Sequence, residues 1–305
     1  MNIEHTLTSE ESAALERLEA KLDHIRDAVN GVVKGYHSGL FLYGEGGTSK
    51  SYTVINALQE LKAKYVLHNT SLTPRGLFDV LERAPAIIHF IEDAEPLLDN
   101  KRSYGLLRSA SWSQSTKQPM ERPITWTTCK RAISFTFTGG IILISNSNLA
   151  DAIPEVRAIK TRINVLGMDV PPDEIKALMT KICLGGYQFG DWYLDVEECL
   201  QVRDFVISRL SQLRRNLDLR LMINGFKDFL QWQNNDSKTH WQQLIEGRIA
   251  ERVVYRDRRT QNIEKQKVAL EIRALNLPWK EQVKLAKERL GISPGAYHRA
   301  LQRKL

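Results

Sequence analysis

Two spacings of apolar residues alternate along the first half of the chain. Over residues 8–30, Leu15, Leu18, Leu22, Ile25 and Val29 recur at the helical interval, and Thr8 with Glu11 forms a capping-box signature. Gly31, Gly35 and Gly39 then punctuate the approach to Leu40-Phe41-Leu42-Tyr43, a run short and aromatic enough to be a buried strand. A helix over Tyr52–Leu61 follows, with Val54, Ile55, Leu58 and Leu61 on its buried side. Tyr65–His68 reads as a second strand. Thr73-Pro74 opens a helix to about Arg83, with proline where its missing N–H does no harm. Ala86–Ile91 is a third strand, apolar except for His89, which reads as a core or sheet-edge histidine. Leu97–Trp112 predicts a helix with Leu106, Leu107 and Ala110 inward and Arg102 and Arg108 outward.

Pro123–Thr138 is rich in β-branched and aromatic residues and breaks at Cys129-Lys130-Arg131-Ala132, the pattern of a hairpin with a basic tip. Ile141–Asn146 is another buried strand with a polar end. From Val170-Pro171-Pro172 the pattern turns helical: Asp173–Cys183, Asp195–Leu213 and Asp218–Trp232 predict helices, with no strand signal between them except in the short Gln188–Leu194 loop. A charged connector over 247–261 leads to a helix over Ile263–Leu275 and two short helices. The first places Trp279, Val283, Ala286 and Leu290 on one face. The second is capped by Ser293, opens at Pro294, and buries Tyr297, Leu301 and Leu305.

Composition changes this picture little. With 42% apolar and 26% charged residues over 305 positions, the chain suits two compact domains, or one α/β domain with helical appendages. No apolar run reaches 18 residues and the N-terminus is acidic and helical, so no membrane partner and a cytoplasmic location are expected. Three scattered cysteines, Cys129, Cys183 and Cys199, suit a reducing compartment. Charge is more telling. The net +7 is uneven: residues 251–305 carry 14 Lys/Arg against 6 Asp/Glu, which leaves the body near neutrality. That asymmetry fits a nucleic-acid contact at the C-terminal end, and fits a solvated basic helix surface equally well.

The candidate chemistry lies where apolar strands end. Gly44-Glu45-Gly46-Gly47-Thr48-Ser49 follows the first strand, and Lys50-Ser51-Tyr52 opens a helix. This is the P-loop context, in which backbone N–H groups cradle phosphates at a helix N-terminus. Lys50 is expected to reach the β- and γ-phosphates of ATP and the Ser51 hydroxyl to ligate Mg²⁺. Ser49 stands where the pattern has glycine. The strand Ala86–Ile91 delivers Glu92-Asp93-Ala94-Glu95. By position Glu92 is assigned to the metal and Asp93 to the attacking water, although the order reverses the common Asp-Glu and the roles could be exchanged.

These elements, over about residues 31–232, resemble the core of AAA+ ATPases of the initiator and clamp-loader type. The resemblance implies an α/β fold: a P-loop parallel sheet sandwiched by helices, then an α-helical lid and a small all-α C-terminal module. Asn146, ending the Ile141 strand, resembles the family's sensor 1. Thr161-Arg162 is similar to the signature whose arginine reaches into a neighbouring subunit's site, so Arg162 is the arginine-finger candidate and Arg157 the reserve. Arg220 holds the place of sensor 2 and would contact the phosphates. Leu290-Gly291-Ile292-Ser293 resembles the joint of Fis-type helix-turn-helix domains, which implies base contacts by Arg299 and Gln302 and phosphate contacts by Arg303 and Lys304.

The implied domains are an N-terminal helix (1–30), an αβ core (31–168), a lid (169–246) and a basic connector with helix-turn-helix (247–305). The implied function is an oligomeric ATPase, in a ring or helical filament, that acts on DNA or a DNA-bound partner in replication, recombination or transposition. Alternatives are a nucleotide-gated assembly switch with little turnover, or a protein-remodelling ATPase.

Overall fold

Four apolar runs of the sequence and one further segment hydrogen-bond into a single parallel sheet. Its strands are β1 (Gly39–Gly44), β2 (Tyr65–His68), β3 (Ile88–Ile91), β6 (Ile141–Ser145) and β7 (Asn164–Met168), in the order β2-β3-β6-β1-β7. Leu40 stands opposite Ile142 on one side and Asn164 on the other. The computed structural model describes residues 5–69, 72–98, 100–112, 121–127, 131–146, 158–251, 266, 268–275, 277–290 and 293–302. Contacts divide the chain into two units, Met1–Ile245 and Glu246–Leu305.

The two-residue period of the central strands sends side chains to two separate cores. Phe41 and Leu143 face one side, where they meet Leu77, Phe78 and Leu81 of α3 (Pro74–Arg83) and Leu107 of α5 (Lys101–Ser111). Leu40, Leu42, Ile142 and Ile144 face the other. There they meet Leu18, Leu22, Ile25 and Val29 of α1 (Ser9–Val33) and Val54 and Leu58 of α2 (Lys50–Glu60). Each such side chain contributes about 1.5–3 kcal/mol by leaving water, so a strand that feeds both cores is fixed in register. The Thr8 capping box forms, with Thr8 and Glu11 exchanging bonds of 3.1 Å each.

Several expectations need adjustment. The helix after the glycine-rich loop ends at Glu60, so Leu61 caps it from outside and is 36% exposed. The stretch 97–112 is two helices, because the Asn100 side chain accepts from Arg102 N and starts α5 afresh after α4 (Glu95–Leu98). The hairpin forms as β4 (Arg122–Thr127) and β5 (Ala132–Phe137), with Arg122 opposite Phe137. Its tip at 128–130 lies outside the described residues. Strand β7 carries no signal of its own: Asn164-Val165-Leu166-Gly167-Met168 is short, holds a glycine and lies half-buried at the sheet edge.

Beyond the sheet come α6 (Pro172–Leu184), α7 (Val196–Gln212), α8 (Leu219–Gln233) and α9 (Trp241–Glu251). The short Gln188–Leu194 loop, the one place in this part with a strand signal, is a small antiparallel hairpin, β8 (Tyr187–Phe189) with β9 (Trp192–Leu194). Tyr187 anchors it by packing on Phe226. Helix α1 reaches this helical layer as well as the sheet. Glu174 of α6 is 2% exposed, and Lys21 Nζ meets its Oε2 at 2.7 Å. Cys183 and Cys199 are buried free thiols in α6 and α7.

The second unit has its own core of Ala269, Ile272, Ala286 and Tyr297. It is built from a helical stretch over 268–274, α10 (Trp279–Leu290) and α11 (Pro294–Gln302). Ser293 caps α11 by accepting from Ala296 N at 3.3 Å. Buried Tyr297 donates to Gln282 Oε1 at 2.9 Å, while Trp279 remains half-exposed against its ring. No helix of the described residues is long and apolar enough to cross a membrane.

Candidate functional site

The glycine-rich loop leaves β1 through backbone angles that its sequence explains. Gly44 has φ +156, and a Cβ there would lie 2.2 Å from the Met168 carbonyl oxygen of β7. Gly47 has φ +79 and faces the Asp218 carboxylate, which a Cβ would meet at 2.9 Å. Ser49 takes up the left-handed conformation with φ 65 and ψ 10, a geometry that costs a non-glycine residue about 1–2 kcal/mol. Its hydroxyl makes no capping bond to α2. The first-turn N–H groups of α2 thus remain for an anionic acceptor.

Lys50 is the first residue of α2 and only 5% exposed. Its ammonium donates to the carbonyls of Gly44, at 2.8 Å, and Glu45. Burial pushes its pKa down to about 8, and the positive charge of Arg220 pushes the same way, against Glu95, Glu45 and Asp93, which favour the charged form. A buried ammonium sensed by a second cation is the electrostatic arrangement that a polyanion relieves.

Lys50, Ser51, Glu92, Asp93, Asn146 and Arg220 share the wall of one cavity of about 640 Å³. Thr48, Ser49 and Tyr52 extend the same wall, and Tyr52 is 68% exposed. Gly44 and Gly46 are not on that wall, although a Cβ on Gly46 would lie 3.6 Å from Asn146 Oδ1. Glu45 is turned away from the cavity, where its carboxylate accepts from Asn216 Nδ2 at 2.9 Å. Glu92 follows the buried strand β3, and Asp93 turns through φ 47, a left-handed angle that aspartate tolerates. Asn146 Nδ2 donates to Asp93 Oδ1 at 3.3 Å, so strands β3 and β6 present their polar ends as one surface. Behind it, His89 is fully buried, bonded to His68 at 3.0 Å and to the Ala84 carbonyl at 2.9 Å. It is a core histidine.

Arg220 comes from the start of α8. Asp218 caps that helix by accepting from Arg220 N at 2.7 Å, which fixes the turn that carries the guanidinium toward the loop. Arg162 does not join this group. Its carbonyl accepts from Ser38 Oγ at 3.3 Å, beside the amino end of β1. The glycine-rich loop leaves the other end of that strand, roughly 20 Å away. Arg157 lies outside the described residues, as do Arg303 and Lys304. Arg299 and Gln302 fall on α11, and their side chains are outside the described residues too.

One working residue was not singled out from the sequence. Glu95, at the start of α4, accepts from Ser145 Oγ at 2.9 Å and from Asn146 N, and so holds the end of β6. The signal lay in the acidic run, where three carboxylates rather than two lie within four residues. Asn216 and Asp218 were also missed, because only the tertiary fold brings the approach to α8 against the glycine-rich loop.

No protein-family model matches the chain, and no curated protein matches it.

Proposed function

We propose that the chain is an ATPase of the AAA+ type, which binds ATP with Mg²⁺ at the Lys50 loop and works as an oligomer on DNA or a DNA-bound partner. One observation carries the reading: Lys50 and Arg220 converge on a cavity that also holds the carboxylates ending β3. Phosphates fit between the cations and the α2 N-terminus, with the acids placed for a hydrated metal and a nucleophilic water. The strand order β2-β3-β6-β1-β7, with the acidic strand beside the Asn146 strand, supports the same reading. The helices α6 to α9 would then serve as the lid, and the second unit as the DNA-binding module.

Mg²⁺ suits the hard oxygen donors of Ser51 and Glu92, which line the same cavity, and would there neutralise phosphate charge. The described residues hold no cluster of three or more metal-ligating side chains, so water and phosphate oxygens would complete the shell. In the proposed step, Asp93 accepts the proton of the attacking water while Asn146 holds Asp93 and the water in line. Lys50 and Arg220 stabilise charge on the transferred phosphoryl group. Arg162, remote from its own loop, acts on a neighbour's γ-phosphate, which makes assembly a condition of turnover.

The test is ATP binding and hydrolysis by the full chain, with and without duplex DNA, alongside size-exclusion chromatography with a non-hydrolysable analogue. DNA-stimulated turnover that disappears in Lys50→Ala supports the proposal. ATP-dependent assembly without turnover converts it to the switch reading, and no affinity for any nucleoside triphosphate removes it.

A further inference from the structure

At the amino ends of the strands, the guanidinium of Arg122 is buried without a counter-ion. The residue opens β4, is 2% exposed, and lies over the Phe137 ring with its carbon centre 4.8 Å from the centroid. One terminal nitrogen donates to the Gly139 carbonyl. Its Nε and Nη1 are buried and have no partner. Burial alone pushes the pKa of this arginine down to about 10, with no carboxylate to oppose it. A charge kept in this way is costly unless something pairs with it, because two of its strongest donors have given up water and gained nothing.

Arg122 and Gly139 form part of the wall of a second cavity, of about 480 Å³. Lys34 and His37 lie on the same wall, and no acidic side chain is among the described residues that line it. Two permanent cations and a histidine exceed what one carboxylate would balance. A doubly charged oxyanion in this cavity would supply the counter-charge that the Arg122 guanidinium and the Lys34 ammonium lack, once the guanidinium turns its orphaned N–H groups toward it.

We infer that this cavity is a phosphate-binding site, separate from the Lys50 loop and at the opposite end of the sheet, in which Arg122 and Lys34 hold a phosphoryl group. The group is either free, as inorganic phosphate or a small phosphate ester, or part of a nucleic-acid backbone. The inference does not rest on ATP binding, and its test removes the Lys50 loop from consideration.

The experiment follows thermal unfolding of the Lys50→Ala chain as inorganic phosphate replaces chloride at constant ionic strength. The expected result is a saturable rise of roughly 2–4 °C at about five times the dissociation constant. Arg122→Met keeps the volume and removes the charge. It should be more stable than its parent in chloride and show no phosphate response, so that the order of the two proteins reverses as phosphate is added. Lys34→Ala, at an exposed position, should fold normally and need several-fold more phosphate, which keeps the test decisive if the methionine variant fails to fold. A rise that persists unchanged in either variant overturns the inference, as does no rise at all. A short DNA duplex that suppresses the phosphate response identifies a nucleic-acid backbone as the source. No competition from the duplex identifies a free phosphate. Both outcomes uphold the site.

Discussion

At the carboxyl ends of the strands, Lys50 and Arg220 share one cavity with Glu92 and Asp93, while Glu95 holds the end of β6 beside them. At the amino ends of the same sheet, Arg122 and Lys34 line another cavity and Arg162 lies beside the start of β1, with no ion pair to any of the three among the described residues. The first end balances cations against acids. The cavity at the second end is lined by cations and no acid among the described residues. A balanced site can do chemistry in place, whereas an unbalanced one waits for charge from elsewhere, whether a dissolved anion or a neighbouring molecule.

The sharpest way to break this contrast is Arg162→Ala. If the amino end serves a neighbour's site, turnover of the assembled protein should fall by about 10³-fold while ATP affinity stays within about threefold. Mixing these chains with Lys50→Ala chains should restore part of the rate, since each supplies what the other lacks. An unchanged rate would remove the amino end from catalysis.

Glu95→Ala attacks the balanced end. It leaves Ser145 Oγ and Asn146 N without their acceptor and should cost about 1–3 kcal/mol in denaturant unfolding. A loss below the error of the measurement would show that the end of β6 is held by the sheet alone.

The third prediction uses the lowered pKa of Lys50. ATP requires the ammonium, whereas the folded chain favours the neutral amine above about pH 8. Affinity should therefore fall by up to roughly tenfold per pH unit above that value. Stability of the unliganded chain should rise over the same range, because the unfolded chain still holds the proton there. Lys50→Ala should abolish both slopes.

The smallest effect expected is a gain. Ser49→Gly removes the left-handed strain and should stabilise the chain by about 1 kcal/mol, a rise of roughly 2–4 °C in Tm, with ATP binding retained. A fall in Tm would show that the serine side chain contributes more than its backbone costs.

What could be read in advance follows the same division. Strands β1, β3 and β6 were legible because both faces are buried, which leaves an unbroken apolar run, and the loop after β1 was legible because its glycines are forced by backbone angle. The edge strand β7 was not, since half-burial erases the run. Glu95 was hidden by its neighbours, since spacing alone cannot say which of three acids a distant strand will grip. Arg122 was invisible for a deeper reason. It begins a β-branched stretch and reads as the polar end of a strand, and only the packing of Phe137 and Gly139 around it turns a surface residue into a buried charge.

The first helix has a mechanical consequence. At 25 residues α1 is about 37 Å long, and it packs along α2, the helix that the glycine-rich loop leads into, while its Lys21 grips Glu174 of α6. Glu174 also lies 3.6 Å from Arg17 Nε, so parting α1 from α6 would take both cations from a buried carboxylate. The helical layer is therefore yoked to the loop: a tilt of α6 drags α1, and α1 in turn leans on the helix whose first residue is Lys50.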